Sequence, residues 1–193
     1  MSQDAYRANL ASAIFEPRWD VLVFYTPDMK VTFATPSIER VLGYTPDEYV
    51  QQAGLHIVHP DSQLDSIART KRLVEEPGTE VRGETRIRHK DGHYVWMEVV
   101  SRNMIDVPGV NGIVAHLRDI TDRKRIEVEH ERLLWAIEQS QNGYVIIDTE
   151  DRLQYANVSA RQLLDISEDD DISRLLFYDL AQRIYRMEPS SLW

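Results

Sequence analysis

Two periods run through this chain. In residues 81–88 the charged Arg82, Glu84, Arg86 and Arg88 alternate with Val81, Gly83, Thr85 and Ile87, which predicts a strand with one wet and one dry face. Asp91-Gly92 is a tight-turn dipeptide, so a second long strand is predicted over 93–105. Pro108-Gly109 turns the chain again before a last strand over 112–119. Upstream, DVLVFYT (20–26), a PDMK turn and VTFAT (31–35) read as a shorter two-strand unit. Thr35-Pro36 opens a short helix, SIERVLG, with Thr35 as its cap and Pro36 at the favoured first position, and Gly43 stops it. Thr45-Pro46-Asp47-Glu48 has the form of a capping box. A longer helix is predicted over 62–75, between His59-Pro60-Asp61 and Pro77-Gly78. Residues 6–15 predict a short amphipathic helix with Tyr6, Leu10 and Ile14 on one side.

Over 121–140 the period becomes helical, with Ile126, His130, Leu133, Ile137 and Ser140 on one stripe. Arg123/Glu127 and Arg125/Glu129 sit four apart on the wet face. Such a stripe fits a short coiled coil, and equally a helix lying on its own domain. Beyond it the opening pattern returns at an offset of 122 residues, as from Val31 to Leu153. At that offset Val23 meets Val145, Ala34 meets Ala156, Ser37 meets Ser159 and Leu42 meets Leu164. No counterpart of the three long strands follows, so residues 141–193 read as the first half of a second domain and the chain as a fragment of a longer protein.

Composition narrows the chemistry. Hydrophobic residues make up 42% of the 193 and charged ones 28%, enough for a packed core. The net charge of −10 opposes nucleic acid and anionic lipid. The chain has no cysteine, which removes disulfides, thiol catalysis and cysteine-based zinc sites. No apolar run approaches the roughly 20 residues that span a bilayer, and the N-terminus lacks a signal peptide's pattern, so a soluble, cytoplasmic segment is expected. Nucleophile-elbow, P-loop, zincin and dinucleotide fingerprints are all missing. No catalytic residue is assigned.

The segments ATPSIERVLGYTPDE, HPDS, RIRHKDGHYVWMEV and HLRDITDRKRIE, in this order and spacing, closely resemble a PAS domain with its C-terminal PAC motif. The resemblance covers roughly residues 12–122, and partially again 138–193. It implies an α+β fold: a five-stranded antiparallel sheet in the order 2-1-5-4-3 with small helices on one face. The division expected is an N-terminal segment (1–15), the PAS domain (16–120), a coupling helix (121–140) and the half-domain (141–193). Asp119, Ile120 and Thr121 resemble the motif that fastens the last strand to the outgoing helix. Asp119 is expected to pair with a nearby Arg or Lys, and Thr121 to cap the helix.

Strand parity places Val81, Thr85, Ile87, Met97, Val99, Ser101, Ile113, Ala115 and Leu117 on the inner wall, which predicts an almost wholly apolar cavity. Flavin-binding relatives use a cysteine, inward asparagines and a glutamine. Here Met97 resembles one asparagine position and Leu117 that of the glutamine. Haem-binding relatives take a histidine from the helix corresponding to 62–75, which contains none. No cofactor is therefore expected; the cavity suits a small apolar ligand or stays empty. His89 and His93 bracket the hairpin, but with no carboxylate obviously joining them no metal site is expected. His116 is placed on the outer sheet face near Trp96.

Tyr94, Trp96, Val100 and Val114 are predicted on that outer face, an apolar patch suited to contact. With Ile126, Leu133 and Ile137 they make the expected interface of a parallel homodimer; cover by residues 6–15 is the alternative. The resemblance implies an input module of a larger regulator, most often a histidine kinase, working on an output domain of the same protein. A ligand-free interaction module is the other reading, and a diguanylate cyclase or transcription regulator the other outputs.

Overall fold

The computed structural model describes residues 20–167 and 170–186. The helix expected over 6–15 lies outside them. Two compact units are present, divided between Arg125 and Ile126.

In the first unit, β1 (Asp20–Tyr25) and β2 (Val31–Ala34) form the short hairpin. Helix α1 (Ser37–Leu42) follows, then α2 (Pro46–Gln52) and α3 (Pro60–Glu75). The long strands are β3 (Glu80–Arg88), β4 (Tyr94–Met104) and β5 (Gly112–Asp119). They make one antiparallel sheet in the order β2-β1-β5-β4-β3, the order the resemblance implies.

Local chemistry sets the helix ends. Glu48 N–H donates to Thr45 Oγ1 at 3.3 Å and Thr45 N–H to Glu48 Oε2 at 2.9 Å, completing the capping box at α2. Thr35 does not cap α1. Its Oγ1 accepts the Leu22 N–H at 3.0 Å, so the hydroxyl holds β1 instead. His59 caps α3, its Nδ1 accepting the Asp61 N–H at 3.2 Å, and the helix begins at Pro60, two residues earlier than the sequence suggests. Gly43, at φ +76, ends α1 in the left-handed region. A Cβ there would stand 2.6 Å from His89 Cε1, so the glycine also admits the hairpin.

One core ties sheet to helices. Val21, Val23, Ile38, Leu42, Met97 and Leu117 are its largest fully buried members. Burying such side chains stabilises by about 1.5–3 kcal/mol each. A polar residue shares the interior: Asn103 donates from Nδ2 to the Leu73 carbonyl at 2.7 Å and accepts the Ile105 N–H on Oδ1 at 3.0 Å. It ties the end of β4 to that of α3.

Helix α4 (Thr121–Glu138) leaves β5 and carries no buried residue. Arg125 pairs with Asp122 at 3.1 Å.

The second unit has β6 (Val145–Ile147), β7 (Leu153–Ala156), α5 (Val158–Leu164) and α6 (Phe177–Arg186). Its core is Leu153, Ala156, Ala160, Leu164, Ile166 and Leu180. The repeat is structural down to its irregularities. β1–β2 pairs Val23 with Ala34, Phe24 with Phe33 and, after a bulge, Tyr25 with Val31. β6–β7 pairs Val145 with Ala156, Ile146 with Tyr155 and, after a bulge, Ile147 with Leu153. The left-handed residues Met29 and Gly43 recur as Asp151 and Asp165. Thr35 recurs as the fully buried Asn157. Its Oδ1 accepts the N–H groups of Tyr144 (2.8 Å) and Ala160 (3.0 Å). Its Nδ2 donates to the carbonyls of Ile137 (2.8 Å) and Asn142 (2.9 Å).

Candidate functional site

Helices α2 and α3, with the turn Leu55–Ile57 between them, stand over the inner sheet face and leave a hollow of two lobes. The outer lobe, about 450 Å³, is walled by apolar groups such as Val31, Ile57, Ile67 and Ile87, together with Tyr25 and Tyr49. The inner lobe, about 130 Å³, shares Tyr25, Ser66, Thr70 and Ile87 with the first and reaches deeper into the sheet. Of the nine residues expected on this wall, Val81, Thr85, Ile87, Val99, Ser101 and Leu117 line it. Met97 and Ala115 pack in the main core instead, and Ile113 is fully buried away from the hollow.

The wall is not almost wholly apolar, as strand parity suggested. Helix α3 brings Ser66, Arg69, Thr70 and Lys71 to it. A strand's period fixes which of its own residues face inward, but the opposite wall depends on how a helix is rotated over the sheet. Burial pushes the Tyr25 phenol up to about 12 and holds that of Tyr49 well above its ordinary value. Both tyrosines therefore present neutral hydroxyls to the hollow.

On the other face of the same strands lies the joint to α4. The Ile120 N–H donates to the Trp96 carbonyl at 2.9 Å, and the Trp96 N–H donates to Thr121 Oγ1 at 3.1 Å. Thr121 thus clamps β4 and does not cap the helix. Asp119 Oδ1 accepts the Thr121 N–H at 2.8 Å, so its carboxylate serves the first N–H of the helix rather than an Arg or Lys. Ile120, between them, is buried. The first turn of α4 is also tied to β3: Arg123 Nη2 lies 2.7 Å from Glu84 Oε1 and Lys124 Nζ 2.8 Å from Oε2. These cations hold the Glu84 carboxyl below its usual range, Lys124 foremost.

The expected outer patch is partly covered. The Arg86 guanidinium lies 5.1 Å from the Trp96 ring centre and the Lys124 ammonium 5.6 Å, a cation–π arrangement. Tyr94 is exposed, while Val100 and Val114 are half-buried. His116 is not beside Trp96. It pairs across with Val100, and its Nε2 lies 2.9 Å from Asp20 Oδ2, which also meets Arg118. On α4, Ile126, Leu133, Leu134 and Trp135 are exposed and Ile137 half-buried.

The β3–β4 turn stacks the rings of His89 and His93 at 4.4 Å. It also brings a carboxylate to the pair: His89, Asp91 and His93 set ligand atoms within 4.8 Å of one another. Gly92, at φ +97, folds the turn back and sets Asp91 beside His89. His89 Nδ1 is already engaged there, accepting the Asp91 N–H at 3.1 Å.

A hollow between an antiparallel 2-1-5-4-3 sheet and its helices, with a helix fastened to the last strand, defines a sensory-type module of the PAS fold. The comparisons agree with it. Residues 31–111 match the family described as PAS fold, and residues 131–188 the family described as PAS domain. The chain belongs to the PAS family. The sensor histidine kinase TmoS of Ectopseudomonas mendocina is 24% identical over an alignment of 132 positions that covers 63% of this chain; the chain spans only 13% of that kinase's length. Three solved structures are similar. The N-terminal domain of a diguanylate cyclase with PAS/PAC sensor from Marinobacter aquaeolei is 24% identical, covering 57% of this chain and 98% of that one (TM-score 0.46). A domain of a sensory box sensor histidine kinase/response regulator from Geobacter sulfurreducens is 22% identical, covering 60% and 96% (TM-score 0.45). The PAS domain of a protein from Colwellia psychrerythraea is 23% identical, covering 63% and 99% (TM-score 0.49). Among the described residues no helix is long and apolar enough to cross a membrane.

Proposed function

We propose that the chain is a non-catalytic signal-input segment of a cytoplasmic regulator, in which occupancy of the hollow alters the seating of α4 and so the state of an output domain. The observation that carries this reading is the double clamp on Trp96. Strand β4 turns Val99 and Ser101 toward the hollow and Trp96 toward the joint. A ligand that displaces β4 by a fraction of an ångström therefore reaches both hydrogen bonds at the root of α4. A population shift of the helix needs no more than a differential affinity of the ligand for the two seatings. By its likeness to TmoS, a histidine kinase is the output we favour over a diguanylate cyclase.

The test fills the hollow without a ligand. Ser66 lines both lobes, and Ser66→Phe places a ring inside. Amide exchange at Trp96, Ile120 and Lys124 should change in the variant; unchanged exchange at all three overturns the reading.

The exposed Ile126, Leu133, Leu134 and Trp135 of α4 support a parallel homodimer bundled through this helix. Sedimentation of the whole chain should show it, and a monomer at high concentration defeats it. A ligand-free interaction module would keep the dimer and leave the joint indifferent to Ser66→Phe.

A further inference from the structure

We propose that the hollow takes a small amphipathic monocarboxylate, its carboxylate held on Arg69 and the neighbouring hydroxyls and its apolar body lying in the outer lobe. This rests on the reading of the hollow as a ligand site and adds the charge and polarity of the ligand.

The inner lobe presents Arg69. The guanidinium is laid flat against the backbone of β3: a Cβ at Gly83 would stand 2.6 Å from its Cζ, Nε and Nη1. Glycine in mid-strand costs stability, and here it opens the space the guanidinium fills. Neighbouring arginines of this unit meet carboxylates: Arg82 with Glu98, Arg86 with Asp61, Arg118 with Asp20 and Arg123 with Glu84. Arg69 differs. Among the described residues its one side-chain hydrogen bond is to Ser66 Oγ, at 3.3 Å. In a chain of net charge −10, a half-buried guanidinium facing a hollow with no carboxylate beside it is an exception.

The surroundings are of one kind. Among the described residues no Asp or Glu lines either lobe. Hydroxyls do: Ser66 Oγ and Thr85 Oγ1 lie 3.5 Å apart, with Thr70 and Ser101 on the same lobe. Hydroxyls and a guanidinium together match the two oxygens of a carboxylate, and charge-assisted hydrogen bonds of this type are about twice as strong as neutral ones. The outer lobe continues from this end as an apolar wall of Val31, Ile57, Ile67 and Ile87. Its volume of about 450 Å³ lies in the ordinary range of small-molecule sites, about 300–1,000 Å³. Polar capture at one end and an apolar body at the other describe an aryl-acetic or medium-chain fatty acid.

The experiment is titration calorimetry on the whole chain with phenylacetate and octanoate against their neutral counterparts, phenylacetamide and octan-1-ol. The acids should bind about tenfold or more tightly than the neutral partners, as one retained charge-assisted pair implies. Arg69→Gln should bring the acids down to the neutral level while leaving the neutral compounds unchanged. Gly83→Ala, which pushes the guanidinium off its seat, should weaken the acids in the same direction without removing the charge. Equal binding of acid and amide, or acid binding indifferent to Arg69→Gln, overturns the proposal while leaving the hollow as a site for neutral ligands. If none of the four compounds binds and Ser66→Phe also leaves the joint unmoved, both the proposal and the reading beneath it fail.

Discussion

Truncating Asn157 to alanine removes the most heavily used buried side chain of the second unit. Its amide makes four hydrogen bonds to backbone groups: it accepts from Tyr144 and Ala160 and donates to Ile137 and Asn142. Each such bond contributes a net of about 0.5–1.5 kcal/mol, and a buried group left without a partner costs more. Four bonds give about 4 kcal/mol. Tyr144 and Asn142 lie near solvent, so water recovers part and the expected loss is about 3 kcal/mol. That is about two orders of magnitude in the opening equilibrium. Amide exchange read by mass spectrometry on the whole chain reports it directly at Tyr144 and Ala160. The first unit supplies the control, because Thr35 at the corresponding place holds only the Leu22 N–H and shares a contact with Ser37; Thr35→Ala should cost about 1 kcal/mol. Asn157→Asp keeps the oxygen that accepts both N–H groups but sets a carboxylate against two carbonyls. Its destabilisation should be largest at neutral pH and shrink as the pH falls and the carboxyl takes up a proton. Exchange at Tyr144 and Ala160 within threefold of the parent in Asn157→Ala would refute this account of the clasp.

Thr121→Val keeps the shape of the joint and removes the acceptor of the Trp96 N–H, so exchange at Trp96 should quicken about fivefold, the equivalent of about 1 kcal/mol; an unchanged rate counts against the clamp. Asp20, held below its usual range foremost by the Arg118 hydrogen bond, contributes stability that is complete above its unfolded value of about 3.9 and fades as the pH falls through its lower folded one. Urea midpoints of Asp20→Asn should accordingly fall less steeply than those of the parent across that acid window, and parallel curves would contradict it. Met97→Ala empties a fully buried core position and should cost about 2–5 kcal/mol, read by urea denaturation; a loss under 1 kcal/mol would mean the site collapses around the gap.

Much of this molecule is legible along the chain because it is written in local rules. Alternation over 81–119 set the inner and outer faces of the long strands, since a strand's side chains can only point two ways. Thr45 and Glu48 marked the start of α2, as a capping box needs only four consecutive residues. The offset of 122 carried over to register, bulge and left-handed turns, because like patterns of apolar and turn positions meet the same steric limits.

Tertiary structure decided what those rules leave open. Thr35 and Thr121 both stand at helix starts, where a hydroxyl's default is to cap, yet each turns to a strand that only the fold brings near. His116 met Asp20 rather than Trp96 because its neighbours come from β1 and β4 at once. Asn103 gave no local sign of being buried; its partner, the carbonyl of Leu73, lies thirty residues away. Arg69 faces the hollow because α3 is turned that way over the sheet, and Gly83 leaves it room. A period constrains one element's own face. Which faces meet depends on packing between elements distant in sequence, and the polar end of the hollow was decided there.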